Sequence, residues 1–190
     1  MRPAGRHRNL RGFLAETRGA AAAELMLWVA VLIVPALSVA DLGVYAVKIM
    51  EVQTASVQAV EAARRACGFQ AVPMTDGANC TQTTFTSAVT AGAQATSLST
   101  GVSVQSGYPQ EQYYCVNASG ALAAVGTAGT SGAPPVGPKD CSSVIAGSAT
   151  APSDYIKVAV TYAYAPVFPG ISLSSALPTP ITATAWLRVQ

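Results

Sequence analysis

The sequence has few charged residues and a single histidine. Lysine, arginine, aspartate and glutamate make up 11% of the 190 residues, whereas hydrophobic residues make up 51%. This balance excludes a disordered acidic or basic chain, which has too little apolar surface to fold. The histidine, His7, lies close to the N-terminus, so a histidine-based catalytic triad or metal cluster is excluded from the rest of the chain. We therefore expect a non-enzymatic protein with no catalytic residue, no cofactor and no metal site.

Basic side chains are concentrated at the N-terminus. Five arginines and Glu16 give residues 1–18 a net charge of +4, so that the remainder carries −2 of the total +2. A nucleic-acid-binding surface needs clustered lysine and arginine in the folded part of a protein, and the sequence has no such cluster there. We expect no nucleic-acid partner and interpret residues 1–19 as a basic leader.

The four cysteines are spaced too widely for a zinc or thioredoxin motif. They are Cys67, Cys80, Cys115 and Cys141. An even number of cysteines in a chain rich in Ser, Thr, Gly and Ala predicts two disulfides formed in an oxidising compartment. Of the three possible pairings we choose the sequential one, Cys67 with Cys80 and Cys115 with Cys141.

An apolar run follows the leader. Residues 20–40 contain one charged side chain, Glu24, and Asp41 follows them. As a helix this run is about 31 Å long, which matches the hydrocarbon core of a bilayer. We predict a transmembrane helix over residues 20–41, bent at Pro35. The arginines on its N-terminal side place the N-terminus in the cytoplasm, so the remainder is exported.

The helical periodicity continues beyond Asp41. Residues at spacings of three and four, among them Val52, Ala59 and Ala63, form a weakly apolar stripe. We predict an amphipathic extension over residues 42–67, ended by Gly68. Its stripe requires a partner surface.

The beginning of the apolar run has an order of residues that resembles a known processing signal. A basic leader is followed by Gly19, Ala20 and then Glu24, the fifth residue after the glycine. This order is similar to the class III signal of type IV pilins and pseudopilins, which prepilin peptidase cuts after the glycine. The resemblance implies cleavage between Gly19 and Ala20. It also implies that Glu24 neutralises the new amino group of a neighbouring subunit within the membrane and so sets the register of assembly.

Further motifs narrow the resemblance to one family. The proline at Val34-Pro35, then Val39-Ala-Asp41-Leu-Gly43 and Ala62-Ala-Arg64-Arg-Ala66, resemble the TadE-like minor pseudopilins of the Tad (Flp) pilus over residues 11–67. Major Flp pilins are shorter and have tyrosine directly after the glutamate, where this chain has Leu25. The resemblance implies a minor, single-pass subunit of a bacterial inner membrane. Its implied partners are other pilin and pseudopilin subunits, the pilus assembly machinery, prepilin peptidase and inner-membrane lipid.

The exported part, residues 68–190, is predicted to be rich in strands. Alternating apolar side chains predict strands at residues 155–164 and 181–189. Residues 99–105 and 112–117 are further strand candidates that would complete a small sheet, and residues 83–94 are predicted to form a short helix. Residues 117–136, rich in Ala, Gly, Ser and Thr, are expected to form a loop because they offer little apolar surface to bury. We expect an α+β fold in which a long N-terminal helix packs on a small antiparallel sheet, a pilin-like arrangement.

Other interpretations of the same residues stay open. Ser38-Val39-Ala40 also fits the cleavage site of a secretory signal peptide, which would release a soluble exported binding domain after Ala40 but leaves Glu24 unexplained. Glu24 could instead snorkel to the headgroups. A hydrolase that uses a serine with Asp154 or Glu111 would lack both a histidine and a nucleophile-elbow motif.

The leader provides the first testable prediction. If prepilin peptidase cuts after Gly19, the mature protein begins at Ala20, and mass spectrometry of the purified protein will give that N-terminus. A mature chain that begins at Asp41 would contradict the pilin interpretation and favour the secretory signal peptide.

Overall fold

The computed structural model describes residues 17–68, 71–172 and 176–190, with side chains described from residue 21 onward. Most of the predicted basic leader therefore lies outside the described residues. The chain forms two compact units. Residues 1–43 and 166–176 make up one, here called the N-terminal unit, and residues 44–165 and 177–190 make up the other, here called the sheet unit.

One helix, α1, extends without interruption over Thr17–Cys67 and has Pro35 inside it. This confirms the prediction that the helical period continues beyond Asp41. The helix ends because Gly68 adopts φ +80°, a left-handed conformation that glycine tolerates, and the Gly68 N–H donates to the Arg64 carbonyl at 3.0 Å. Among the described residues, α1 is the helix that is long and apolar enough to cross a membrane.

The part of α1 that belongs to the sheet unit buries valine as well as alanine side chains, among them Val52 and Val60. Ala55, Ala59 and Ala63 are fully buried, which confirms that the extension presents its weakly apolar stripe to a partner surface. A second helix, α2, covers Gln82–Gln94. The two helices approach closely at Gly92, where an added Cβ would lie 2.6 Å from the Ala62 Cβ.

Five strands form one antiparallel sheet in the sheet unit. They are β1 Val102–Val104, β2 Gln110–Val116, β3 Leu122–Thr130, β4 Ser153–Tyr162 and β5 Ile181–Arg188. Strand β4 is the central strand because it pairs with β5 along one edge, while β2 and β1 share its other edge. Strand β3 pairs with the free edge of β2. A single 3₁₀ turn, Ser99–Gly101, replaces the beginning of the strand predicted at residues 99–105.

The core of the sheet unit lies between its helices and β4. Phe85 and Val89 of α2 are buried, as are Ile156, Val158 and Val160 of β4. The alternation of β4 that the sequence displays thus identifies its buried face correctly. The fold is α+β, with one long apolar N-terminal helix and a small antiparallel sheet, as expected.

The prediction that residues 117–136 form a loop is wrong for β3. The hairpin from β2 to β3 is turned by Asn117, whose side-chain oxygen accepts hydrogen bonds from the N–H groups of Ser119 and Ala121. Backbone pairing with β2 then orders the strand, although it buries only Val125 and Gly129. Backbone hydrogen bonds do not depend on apolar side chains, so composition alone underestimated the order of this segment.

Glycine in β3 serves close packing. Bridges from Thr127 to Val136 and from Thr130 to Ala133 fold the following segment back onto the strand. An added Cβ on Gly129 would lie 2.4 Å from the Pro135 nitrogen, a distance that real side chains do not reach. Only glycine fits at this position without displacing the backbone.

The packing of Gly129 gives a second prediction. Gly129→Ala should lower the free energy of unfolding by about 1–3 kcal/mol, because the new methyl group meets backbone that cannot rotate away. Gly77→Ala is the matched control, since its Cβ would meet nothing nearer than the Gln82 Cγ at 3.9 Å and should change stability by less than about 0.5 kcal/mol. Denaturant unfolding of both variants in detergent measures the difference. Equal stability of the two variants would refute the close approach.

Candidate functional site

The candidate assembly residues lie at the beginning of α1. The helix includes Gly19 and Ala20, of which only the backbone is described, and Glu24 follows one turn after Ala20. Glu24 is exposed, and in the described part of the chain its carboxylate makes no hydrogen bond or ion pair. The predicted processing and assembly roles stay predictions.

Apolar side chains surround this part of α1. Nine large residues between positions 25 and 34 are between 39% and 74% exposed, with Met26 the most exposed. They are Leu25, Met26, Leu27, Trp28, Val29, Val31, Leu32, Ile33 and Val34. A helix that is apolar on every side and uncovered by its own chain is suited to lipid or to other apolar helices.

The four cysteines lie in the sheet unit as two pairs. The sulfur atoms are 1.94 Å apart in Cys67 and Cys80, and 1.98 Å apart in Cys115 and Cys141. This confirms the predicted sequential pairing. The first pair joins the C-terminus of α1 to the segment before α2. The second joins β2 to the segment that follows β3.

A buried carboxylate, Glu111 of β2, organises the segment between the first cysteine pair. Its Oε1 accepts a hydrogen bond from the Met74 N–H at 2.8 Å. Its Oε2 accepts one from the Thr75 N–H at 2.8 Å and another from the Thr75 hydroxyl at 2.6 Å. Three donors compensate the desolvation of this fully buried group, so Glu111 acts as a clamp on residues 74 and 75.

A second carboxyl group, Asp154 of β4, lies on the same face of the sheet. Tyr113 is paired with Asp154 and Glu111 with Ile156, so the two acids are diagonal neighbours across the strands. Asp154 is 1% exposed, and its side-chain oxygens have no hydrogen bond of normal geometry among the described residues. Burial, together with the negative charge of Glu111, raises the pKa of Asp154 to about 8. The folded protein therefore holds Asp154 protonated at neutral pH.

This acid pair is sealed inside the sheet unit. Glu111 is 0% exposed, and the hydroxyl group that touches it belongs to Thr75 rather than to a serine. The serine arrangement considered for a hydrolase is therefore not formed at Glu111. Over the described residues, no group of three histidine, cysteine, aspartate or glutamate side chains is placed to hold a metal ion.

A third buried acid, Asp41, lies in the N-terminal unit. Its Oδ1 accepts a hydrogen bond from the Val167 N–H at 3.0 Å, and its Oδ2 accepts one from the Phe168 N–H at 3.3 Å. The Ser172 hydroxyl also donates to Oδ2. Asp41 thereby fixes a loop that lies 126 residues later in the chain.

The hydrogen-bonding roles of Glu111 and Asp41 were not predicted from the sequence. The burial of Glu111 could have been predicted, because Glu111 lies four residues before Cys115 and therefore on the same face of an alternating strand. Asp41 had only its place as the first charged residue after the apolar run. Its loop partners are too distant in sequence for any local pattern to indicate them.

No family model matches the sequence, no curated protein matches it, and no solved structure matches the fold.

The acid pair leads to a prediction on pH dependence. The pKa of Asp154 is raised from 3.8 to about 8 in the folded protein, so between these values the folded chain keeps a proton that the unfolded chain releases. Stability should consequently be highest at the acidic end and fall by up to about 1.4 kcal/mol per pH unit as pH rises through this window. Asp154→Asn cannot ionise and should flatten that slope, measured by denaturant unfolding from pH 4 to pH 8.

Asp140→Asn is the control for this prediction. Asp140 accepts hydrogen bonds from the hydroxyl and the N–H of Ser142, which hold its pKa below the ordinary value, so it is ionised throughout the window. Its variant should keep the slope of the wild type. An unchanged slope in Asp154→Asn would show that Asp154 is ionised in the folded protein.

Proposed function

We propose that this chain is a non-enzymatic minor pilin-like subunit that assembles into a pilus machine of the bacterial inner membrane through α1. In this proposal α1 crosses the membrane with its N-terminus in the cytoplasm, and the sheet unit lies in the periplasm or in the pilus. Prepilin peptidase removes the leader between Gly19 and Ala20. Because its motifs resemble those of TadE-like pseudopilins, we propose that the chain assembles in the Tad (Flp) pilus system.

The observation that carries this proposal is the exposure of the first part of α1. A single-pass anchor needs only an apolar surface, whereas this helix combines an all-round apolar surface with one exposed carboxylate, Glu24. A carboxylate in this position costs about 2.5 kcal/mol or more unless it is paired. Pairing with the Ala20 amino group of a neighbouring subunit removes two unpaired charges at once, which favours assembly over simple anchoring.

The remainder of the fold supports a structural role. The later part of α1 supplies buried side chains to the core of the sheet unit. The helix proposed to assemble in the membrane is therefore the same helix that forms part of the exported domain. The two cysteine pairs close segments within that unit and suit an oxidising compartment. Its two buried acids serve the packing of the unit and are inaccessible to substrate.

The test is the replacement of Glu24. An unpaired carboxylate opposes insertion, so Glu24→Ala should leave the protein in the membrane and normally processed. Assembly should fail, because the amino group of Ala20 then loses its partner, a defect on the order of 3 kcal/mol. Crosslinking to other pilin subunits and electron microscopy of pili measure the loss.

Glu61→Ala provides the matched control on the same helix. Glu61 already pairs with Arg64 at 3.1 Å within its own chain, so its loss should leave assembly intact. If Glu24→Ala cells still form pili and the subunit still crosslinks, Glu24 only snorkels and the assembly proposal is wrong.

A further inference from the structure

The segment after Ala165 has an unusual distribution of polarity. Residues 166–172, here called the apolar loop, read Pro-Val-Phe-Pro-Gly-Ile-Ser, and no residue from 158 to 187 is charged. Val167 is 56% exposed and Ile171 is 53% exposed, whereas Ser172 is buried. Loops of soluble domains normally present polar groups to water, so this loop has the reverse arrangement.

Asp41 holds the apolar loop in place. The N–H groups of Val167 and Phe168 and the hydroxyl of Ser172 all donate to its carboxylate. Hydrogen bonds to an ionisable carboxylate are stronger than those between neutral groups, and this carboxylate is fully buried. These donors of the loop therefore turn toward α1, whereas the side chains of Val167 and Ile171 turn outward and that of Phe168 is half-buried. The backbone of the loop is fixed at the level of residue 41 on the helix.

That level coincides with the end of the apolar run. Residues 20–40 form about 31 Å of helix, so when they span the hydrocarbon core Asp41 lies at its exported boundary. Val39 and Leu42, on either side of Asp41 in sequence, are 69% and 44% exposed. Apolar surface thus continues from the span to the level at which the loop is held.

We infer that the apolar loop is a lipid-binding element that inserts Val167 and Ile171 into the exported surface of the membrane. The inference rests on the proposed membrane span of α1. A lipid bilayer is the partner that suits this loop. The loop is uncharged, and Asp41 holds it next to the exported end of the apolar run. Two exposed aliphatic side chains are also far too few for a stable protein interface, whereas they suffice for shallow interfacial insertion beside a helix that is already anchored.

Single-tryptophan variants of the full chain test this inference. The native tryptophans are Trp28, in the span, and Trp186, in β5. The loop reporter is Ile171→Trp in a Trp28→Phe, Trp186→Phe background. The matched control is Val136→Trp in the same background, since Val136 is an exposed aliphatic residue of the sheet unit. The span reporter keeps Trp28 and carries only Trp186→Phe. Each protein is reconstituted into phosphatidylcholine vesicles that carry bromine either near the headgroup or near the chain ends.

The loop inference predicts a blue-shifted emission and loss of fluorescence for Ile171→Trp, stronger with bromine near the headgroup than near the chain ends. Val136→Trp should keep its emission in both vesicles. The quenching of Ile171→Trp should also be independent of the protein-to-lipid ratio. Quenching that changes with this ratio would mean that a second copy of the chain covers the loop, and would overturn the inference.

The span reporter separates failure of the loop from failure of the span. If Trp28 is quenched but Ile171→Trp is not, lipid binding by the loop is overturned and the span stays intact. The same conclusion follows if Trp28 is quenched and Ile171→Trp and Val136→Trp are quenched equally. Unquenched Trp28 overturns the membrane span and, with it, the loop inference.

Discussion

One unbroken helix, α1, exposes apolar side chains in its first part and buries side chains in the core of the sheet unit in its later part. Most of the fold follows from this constraint. Between residues 25 and 34 its large side chains are apolar and uncovered by the rest of the chain. In the sheet unit its buried side chains become smaller, with Ala55, Ala59 and Ala63 fully buried beside the valines Val52 and Val60. The sheet and α2 exist in part to cover that second surface.

Thr75 is a centre of polar contacts in the sheet unit. Its N–H and hydroxyl bind Glu111 of β2, while its carbonyl accepts hydrogen bonds from the Gln82 side chain of α2 and from the Gly132 N–H after β3. One residue thus connects β2, α2 and the segment that follows β3. These contacts require the carboxylate of Glu111 to be buried. The neighbouring Asp154 stays protonated, since two adjacent negative charges would be strongly unfavourable in a desolvated site.

Much of this architecture could be predicted from local patterns. The alternation of β4 and β5 and the periodicity of α1 placed these elements within a few residues of their observed bounds. The failure at β3 has a physical cause, because its order comes from backbone pairing and from the close approach of Pro135 to Gly129, neither of which produces an apolar pattern. The clamping role of Glu111 was not predicted either, because a buried carboxylate is stable only with hydrogen-bond donors, and its donors at residues 74 and 75 are far away in sequence.

The sequence alone determined that the chain has one apolar helix of membrane-spanning length, a continuous amphipathic extension, mainly strands with one short helix after Gly68, and a carboxylate at the edge of the apolar run. These features depend on neighbours three or four residues apart, or two apart in strands. Only the tertiary structure decided which acids are buried, that Asp154 holds its proton, and that Asp41 binds the loop beginning at residue 166. Such contacts join residues far apart in sequence, and their energies depend on desolvation, which exists only after the chain has folded.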